Sequence, residues 1–101
     1  MLFELSMVPL NGHMHTSSEI AEVVKIIDAS GLAYRLTPTG TCLEGTWEEV
    51  MPVIHRCHDQ MCQLAPHVLT TIGIEYEDGA ENMLEKNIES VREKADYAVR
   101  F

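Results

Sequence analysis

The chain has 101 residues, of which 46% are hydrophobic and 23% charged, and its formal net charge is −9 with the histidines neutral. This length corresponds to one domain, and the apolar fraction is that of a globular protein rather than of a disordered chain. The acidic balance argues against binding to nucleic acid, which depends on clustered Lys and Arg.

A membrane-bound or exported protein is not expected either. No apolar run approaches the roughly 18 residues that span a bilayer, and the start of the chain lacks the basic and apolar regions of a signal peptide. The three cysteines contain no C-x-x-C pair, and an odd number cannot all pair within one chain. We therefore expect a single domain over residues 1–101 in a reduced, cytoplasmic protein.

The chain begins with the patterns of a strand and a helix. Apolar side chains alternate over residues 3–8, which is the two-residue period of a strand, and Pro9 ends it. Thr16 and Glu19 predict a capping box at the start of a helix that ends at Gly31. The apolar stripe of this helix is formed by Ile20, Val23, Val24 and Ile27.

The middle of the chain predicts two short strands and the longest helix. The strands cover residues 34–37 and 40–44 and are joined by a turn. Thr46 and Glu49 predict a second capping box, and Pro52 predicts a kink or a loosened start, because it lies beyond the first helical turn. The apolar stripe of this helix is formed by Val50, Ile54, Cys57, Met61 and Leu64.

The last part of the chain completes the order of elements. After Pro66, residues 68–76 are rich in β-branched and aromatic side chains and predict the longest strand. A final helix is predicted from the spacing of Leu84, Ile88, Val91 and Ala95. The order β-α-β-β-α-β plus a C-terminal helix predicts an α+β ferredoxin-like sandwich, an antiparallel sheet with helices on one face. The other sheet face is then either solvated or used for assembly.

Histidine and cysteine form two candidate metal-binding groups. His55, His58 and Cys62 share one helical face, and His13 and His15 lie close together in the loop after the first strand. A structural role is favoured for the first group, which has no obvious fourth ligand, and a solvated loop for the second. We therefore expect no metal site.

The sequence contains no recognisable catalytic motif. A nucleophile elbow, a cysteine-protease signature and a phosphate-binding glycine loop are all missing. We expect no catalytic residues.

A polar set near one end of the predicted sheet is more informative. The strand order brings together hydroxyls of Ser6, Thr37 and Thr39 with the carboxylate of Glu44. Such groups suit a heteroaromatic ring with an amino group, particularly one that is also cationic. The alternative is that these threonines are present because threonine favours strands.

In ordered segments over nearly its whole length, the chain resembles the small thiamine-binding protein family of ferredoxin-like fold. The similar segments are residues 6–10, 24–32, 37–41, 44–50, 54–58 and 89–94. The resemblance implies a non-catalytic binder of thiamine or its hydroxymethylpyrimidine half, without a cofactor, that assembles as a dimer or tetramer through its sheets.

The resemblance also gives a candidate ligand site. In the family, the loop after the first strand is usually rich in glycine and contains serine, whereas this chain has Asn11-Gly12-His13-Met14-His15. Glu44 would accept a hydrogen bond from the amino group or pair with a protonated ring nitrogen, and the hydroxyls would contact the remaining ring edge. The predicted ligand-binding residues are Ser6, Asn11, Thr37, Thr39 and Glu44.

Two other function classes compete with this prediction. The first is a sensory or protein-interaction module of ferredoxin-like fold. The second is a cofactor-independent oxidase-type enzyme, which would enclose an aromatic substrate between helix and sheet. The aromatic residues are scattered along the sequence, which disfavours the enzyme.

Overall fold

A computed structural model describes residues 1–10, 12 and 15–98 of the chain. It confirms the predicted order of elements and the α+β class. The elements are β1 (Leu2–Pro9), α1 (Ser17–Ala29), β2 (Ala33–Thr37), β3 (Gly40–Glu44), α2 (Trp47–Leu64), β4 (Val68–Glu75) and α3 (Met83–Lys94).

The strands form the antiparallel sheet of a ferredoxin-like sandwich. Their order is β2-β3-β1-β4, so the two central strands are β1 and β3. Leu2 to Leu5 pair with Glu44 to Thr41, whereas β4 pairs with β1 over its whole length, from Leu2–Glu75 to Pro9–Val68. The pairing partner of β1 on one side is therefore shorter than β1 itself.

The core lies between one face of the sheet and the helices α1 and α2. Phe3, Leu5 and Met7 are buried on β1, and the residues between them are less covered, as the alternation predicts. Burying such side chains contributes roughly 1.5–3 kcal/mol each. The helices contribute the stripe residues Val23, Ile27, Val50, Ile54, Cys57 and Met61.

The two long helices begin differently. Thr46 is extended (φ −79°, ψ 165°), its side chain accepts from the Glu49 N–H, and the Glu49 carboxylate accepts in return from the Thr46 N–H. The capping box predicted for α1 is wrong: Thr16 has φ −122° and ψ 18°, and its side chain makes no capping hydrogen bond. The residue types of a capping box are present before both helices, but the extended backbone that directs the cap hydroxyl toward the helix is found at Thr46 and not at Thr16.

Pro52 does not interrupt α2, which runs without a break from Trp47 to Leu64. The missing N–H deprives the carbonyl of Glu48 of its helical donor. Glu48 is exposed, so water can replace that donor, and the capping box holds the preceding turn. The expected loosened start is therefore not found.

The helix α3 lies apart from the other two. Met83 is its buried residue, whereas Val91 in its apolar stripe is 54% exposed. The guanidinium of Arg35 pairs with Glu85 at 2.9 Å. Arg35 is opposite Cys42 in the sheet and Cys42 is opposite Glu4, which places Arg35 on the face away from α1 and α2. The N-terminal part of α3 thus covers a corner of the second sheet face.

None of the helices in the described part of the chain is long and apolar enough to cross a membrane.

Candidate functional site

A cavity of about 220 Å³ lies where β1 extends past the end of the β2–β3 hairpin. Pairing between β1 and β3 ends at Leu5–Thr41, so from Ser6 onward β1 borders the cavity on the side where β3 would have continued. The first half of α1 and the hairpin turn form the other walls. The lining residues are Leu5, Ser6, Met7, Val8, Thr16, Ile20, Val23, Val24, Leu36, Thr37, Pro38, Thr39, Gly40 and Thr41.

The backbone of Met7 faces this cavity. The Met1 carbonyl accepts from the Gly45 N–H at 3.1 Å beyond the end of β3, and the Leu10 N–H donates to the His67 carbonyl at 2.7 Å beside β4. Backbone groups of a strand point alternately to its two neighbours, so the odd-numbered residues of β1 present theirs to the β3 side. Met7 lies past the last β3 pair, and its N–H and C=O have no strand partner on that side in the described sheet.

Thr37 holds the turn of the hairpin. Its hydroxyl donates to the Gly40 carbonyl at 2.9 Å and accepts from the backbone N–H groups of Gly40 at 3.1 Å and Thr39 at 3.4 Å. A hydroxyl has one donor and two acceptor positions, so these contacts use all of them. Thr37 therefore shapes the cavity and has no hydrogen-bonding capacity left for a ligand.

Gly40 brings the hairpin close to β1. A Cβ atom built on Gly40 would lie 2.6 Å from the backbone oxygen of Leu5, closer than atoms of side chains normally approach. A glycine is required because the turn lies directly against the strand. The edge of the cavity is thus fixed by backbone packing.

Other hydroxyls around the cavity are available. Ser6, Thr16, Thr39 and Thr41 line it, and none of the four side chains hydrogen-bonds to another part of the described chain. By the alternation along β1, the Ser6 side chain lies with Val8 on the sheet face away from α1, whereas Thr41 lies with Leu5 on the face toward α1, so these two hydroxyls border the cavity from opposite faces of the sheet. The lining residues named above include no charged side chain. The remaining wall is apolar, so the cavity suits an uncharged, flat polar group with donors and acceptors on its edge.

Glu44 lies elsewhere. It pairs with Leu2, four residues before Ser6, which is about 13 Å along the strand. Its two carboxylate oxygens accept from the backbone N–H groups of Met83 at 2.6 Å and Leu84 at 3.2 Å, the first residues of α3. Of the predicted set, the structure brings together Ser6, Thr37 and Thr39 and places Glu44 at the start of α3. Asn11 lies outside the described residues.

His55, His58 and Cys62 each lie beside another side chain. The His55 Nε2 lies 3.4 Å from an Asp59 carboxylate oxygen, whereas His58 lies between Cys62 and Thr70. No group of three or more His, Cys, Asp or Glu among residues 1–10, 12 and 15–98 is arranged to hold a metal ion. His13 lies outside these ranges.

Three parts of this cavity are not predicted from the sequence. The sequence predicts Thr16 as a helix cap, although its position just before α1 also places it at the cavity. Thr41 and Cys42 are neighbours on a strand and so face opposite sides of the sheet, and Thr41 is on the buried face, opposite Leu36. The Met7 backbone has no sequence signal, because its free edge results from the difference in length between β1 and β3.

Comparison with known proteins identifies the family of the chain. Residues 3–92 match the family of thiamine-binding proteins. A UPF0045 protein of Bacillus subtilis is 36% identical over 80 residues, which cover 74% of this chain and 77% of that protein. A UPF0045 protein of Mycobacterium bovis is 26% identical over 91 residues, covering 89% of each chain.

Solved structures share the fold. A hypothetical protein of Methanocaldococcus jannaschii superposes with a TM-score of 0.84 at 21% identity, covering 91% of this chain and 95% of the other. A Thermotoga maritima protein, assigned provisionally to thiamine biosynthesis or salvage, has a TM-score of 0.77 at 22% identity, covering 88% of this chain and 96% of the other. By the match over residues 3–92, the chain belongs to the thiamine-binding protein family.

Proposed function

We propose that the protein binds the aminopyrimidine ring of thiamine, or of free hydroxymethylpyrimidine, in the cavity beside β1, without transforming it. The proposal is supported by the free backbone edge of Met7, whose N–H and C=O lie past the last β3 pair and beside a cavity with no charged lining residue. An aminopyrimidine has a ring nitrogen, which accepts, next to an amino group, which donates. This edge is complementary to the N–H and C=O of one residue.

Size and charge support the ring as the enclosed part of the ligand. The cavity volume of about 220 Å³ is below the roughly 300 Å³ at which sites for drug-sized ligands begin. A single substituted ring fits this scale, and the cationic thiazolium of thiamine would extend toward solvent. The net charge of −9 then favours the cation modestly at low salt.

The residues divide into two roles under this proposal. Ser6 and Thr39 contact the ligand with free hydroxyls, and Thr37 fixes the turn that carries Thr39. Asn11, which follows Leu10 after β1, stays a predicted contact. Glu44 stabilises α3 and does not touch the ring.

Calorimetric titration with hydroxymethylpyrimidine and thiamine tests the proposal. We expect both to bind, and a pyrimidine without the amino group to bind much more weakly because the Met7 carbonyl loses its donor. Thr39→Val weakens binding of the first two ligands, and Ser90→Ala, which removes an exposed hydroxyl on α3 far from the cavity lining, is the control with unchanged affinity. No binding of either ligand at millimolar concentration would refute the proposal and favour a sensory or protein-interaction module.

We also infer that the chain self-associates through the sheet face opposite α1 and α2, in a reducing, cytoplasmic environment. Val8 and Leu69 are opposite each other on that face and are 41% and 56% exposed. They are neighbouring apolar side chains on a sheet face that α1 and α2 do not cover, which supports an interface between copies there. Light scattering measures the subunit number: a dimer or tetramer that Leu69→Lys dissociates supports the inference, and a monomeric wild type contradicts it.

A further inference from the structure

A second polar constellation lies between α2 and β4, outside the cavity. The Sγ atom of Cys62 is 3.5 Å from the Nε2 atom of His58, and the Nδ1 atom of the same ring is 2.8 Å from the hydroxyl oxygen of Thr70. Cys62 and His58 are one helical turn apart on α2, and Thr70 is on β4. Cys62 is exposed to solvent, whereas His58 and Thr70 are half-buried.

This is the arrangement of an activated thiol: a nucleophile, a base within hydrogen-bond reach, and a third group that orients the base. When the Nδ1–H of His58 donates to Thr70, the lone pair on Nε2 faces the Cys62 thiol. We propose that Cys62 is a reactive thiol, activated by His58 and positioned through Thr70, that forms mixed disulfides with small-molecule disulfides.

The other cysteines lack these features. Cys57 is fully buried and its thiol faces the Val23 carbonyl at 3.8 Å, and burial raises its pKa to about 11. Burial, and to a smaller extent the charge of Glu4, raises the pKa of the Cys42 thiol. At a given pH both therefore have a smaller thiolate fraction, and so a lower reactivity, than an ordinary thiol.

The other titratable groups near Cys62 are Asp59 and His67. Asp59, one turn earlier on α2, pairs with His55 at 3.4 Å. Toward the end of α2 and the start of β4, His67 is exposed and its carbonyl binds the Leu10 N–H. The contact that distinguishes Cys62 is therefore the one with His58.

The exchange step is balanced without a further reactant. The Cys62 thiol transfers its proton to Nε2 of His58, and the thiolate attacks one sulfur of the small disulfide. The new Cys62–sulfur bond forms as the disulfide bond breaks, and the departing thiolate takes the proton from His58. The protein thiol is oxidised to a mixed disulfide while half of the small disulfide is reduced to a thiol.

Alkylation by iodoacetamide, followed residue by residue by mass spectrometry, tests the activation. An unperturbed thiol with a pKa of about 8.5 is only about 3% ionised at about pH 7, so activation can accelerate Cys62 at most about thirtyfold. We expect His58→Gln to slow Cys62 about tenfold at about pH 7, and to leave its rate within about twofold at about pH 10, where thiols are ionised anyway. A change in accessibility would alter both rates together.

Variants and a disulfide probe complete the test. Thr70→Val should slow Cys62 about threefold at about pH 7 through loss of ring orientation, and His55→Gln, on the same helix, should change nothing. Incubation with oxidised glutathione should add one glutathione, at Cys62, and the addition should be slower in His58→Gln. Equal rates in the wild type and His58→Gln at neutral pH, or a mixed disulfide formed first at Cys42, would overturn the proposal.

Discussion

Replacing Glu44 by alanine distinguishes a ligand contact from a helix cap. The first backbone N–H groups of a helix have no partner within it, and here Glu44 supplies acceptors for those of Met83 and Leu84 at 2.6 and 3.2 Å. Met83 is 3% exposed and Leu84 is half-buried, so water cannot easily replace the carboxylate.

The expected loss follows from these contacts. Hydrogen bonds to charged groups contribute about 1.5–3 kcal/mol each, while measured helix caps contribute about 0.5–2 kcal/mol in total. We expect about 2 kcal/mol for Glu44→Ala and about 1 kcal/mol for Glu44→Gln, whose amide oxygen can still accept from one N–H. The remaining attachment of α3 is modest: the buried Met83, the half-buried Leu84 and Ile88, and the exposed Arg35–Glu85 pair, which contributes less than about 1 kcal/mol.

Amide hydrogen exchange measures this loss locally. A change of about 2 kcal/mol corresponds to about thirtyfold lower protection. We expect this at the amides of α3 in Glu44→Ala, with protection in α2 nearly unchanged and affinity for hydroxymethylpyrimidine retained. Glu85→Gln, which breaks the exposed ion pair, is the control and should lower protection by less than about threefold. Lost affinity with unchanged α3 protection would refute the cap and restore Glu44 as a ligand contact.

Three further predictions concern the hairpin and the cap of α2. Gly40→Ala should lower the free energy of unfolding by about 1–3 kcal/mol and abolish binding, because its Cβ meets the Leu5 oxygen; unchanged urea unfolding would contradict this. Thr37→Val should lower the free energy of unfolding by about 2 kcal/mol, because three hydrogen bonds of the turn are lost. Thr39→Val should leave urea unfolding unchanged and weaken ligand binding. The reverse pattern would show that Thr37 is the ligand contact. The backbone N–H of Thr46, and to a smaller extent its side chain, lowers the pKa of Glu49. The Glu49 carboxylate therefore stabilises the fold above its unfolded pKa of about 4.3, and this stabilisation is lost as the pH falls through the lower folded pKa. The difference in melting temperature between wild type and Glu49→Gln should shrink in acid, and a constant difference would contradict the cap.

The fold followed from local patterns. Residues 40–44 were predicted as a strand with the bounds that β3 has, because glycines flank a short alternating run. The capping box at Thr46 formed, but that at Thr16 did not, since the backbone entering α1 is not extended there. Residue spacing supplies the groups of a cap, and the path of the preceding chain decides their geometry.

The cavity was predictable only in part. The expected pairing of the first and third strands places Ser6 near the hairpin end that carries Thr37 and Thr39, and these residues line one cavity. The sequence predicts Glu44 in the same site, but residues at opposite ends of an extended strand lie far apart, and Glu44 is at the other end of β3. Its partner, the start of α3, is 39 residues later in the chain, and no local pattern indicates that contact.

A nuclear magnetic resonance titration of the nitrogen-labelled protein with hydroxymethylpyrimidine tests whether the ring binds at the Met7 edge of β1. We expect the Met7 amide resonance to shift most, together with those of Ser6 and Thr39, while those of Met83 and Leu84 beside Glu44 stay in place. Largest shifts at the Met83 and Leu84 amides, or no shift at Met7 at saturation, would contradict this expectation.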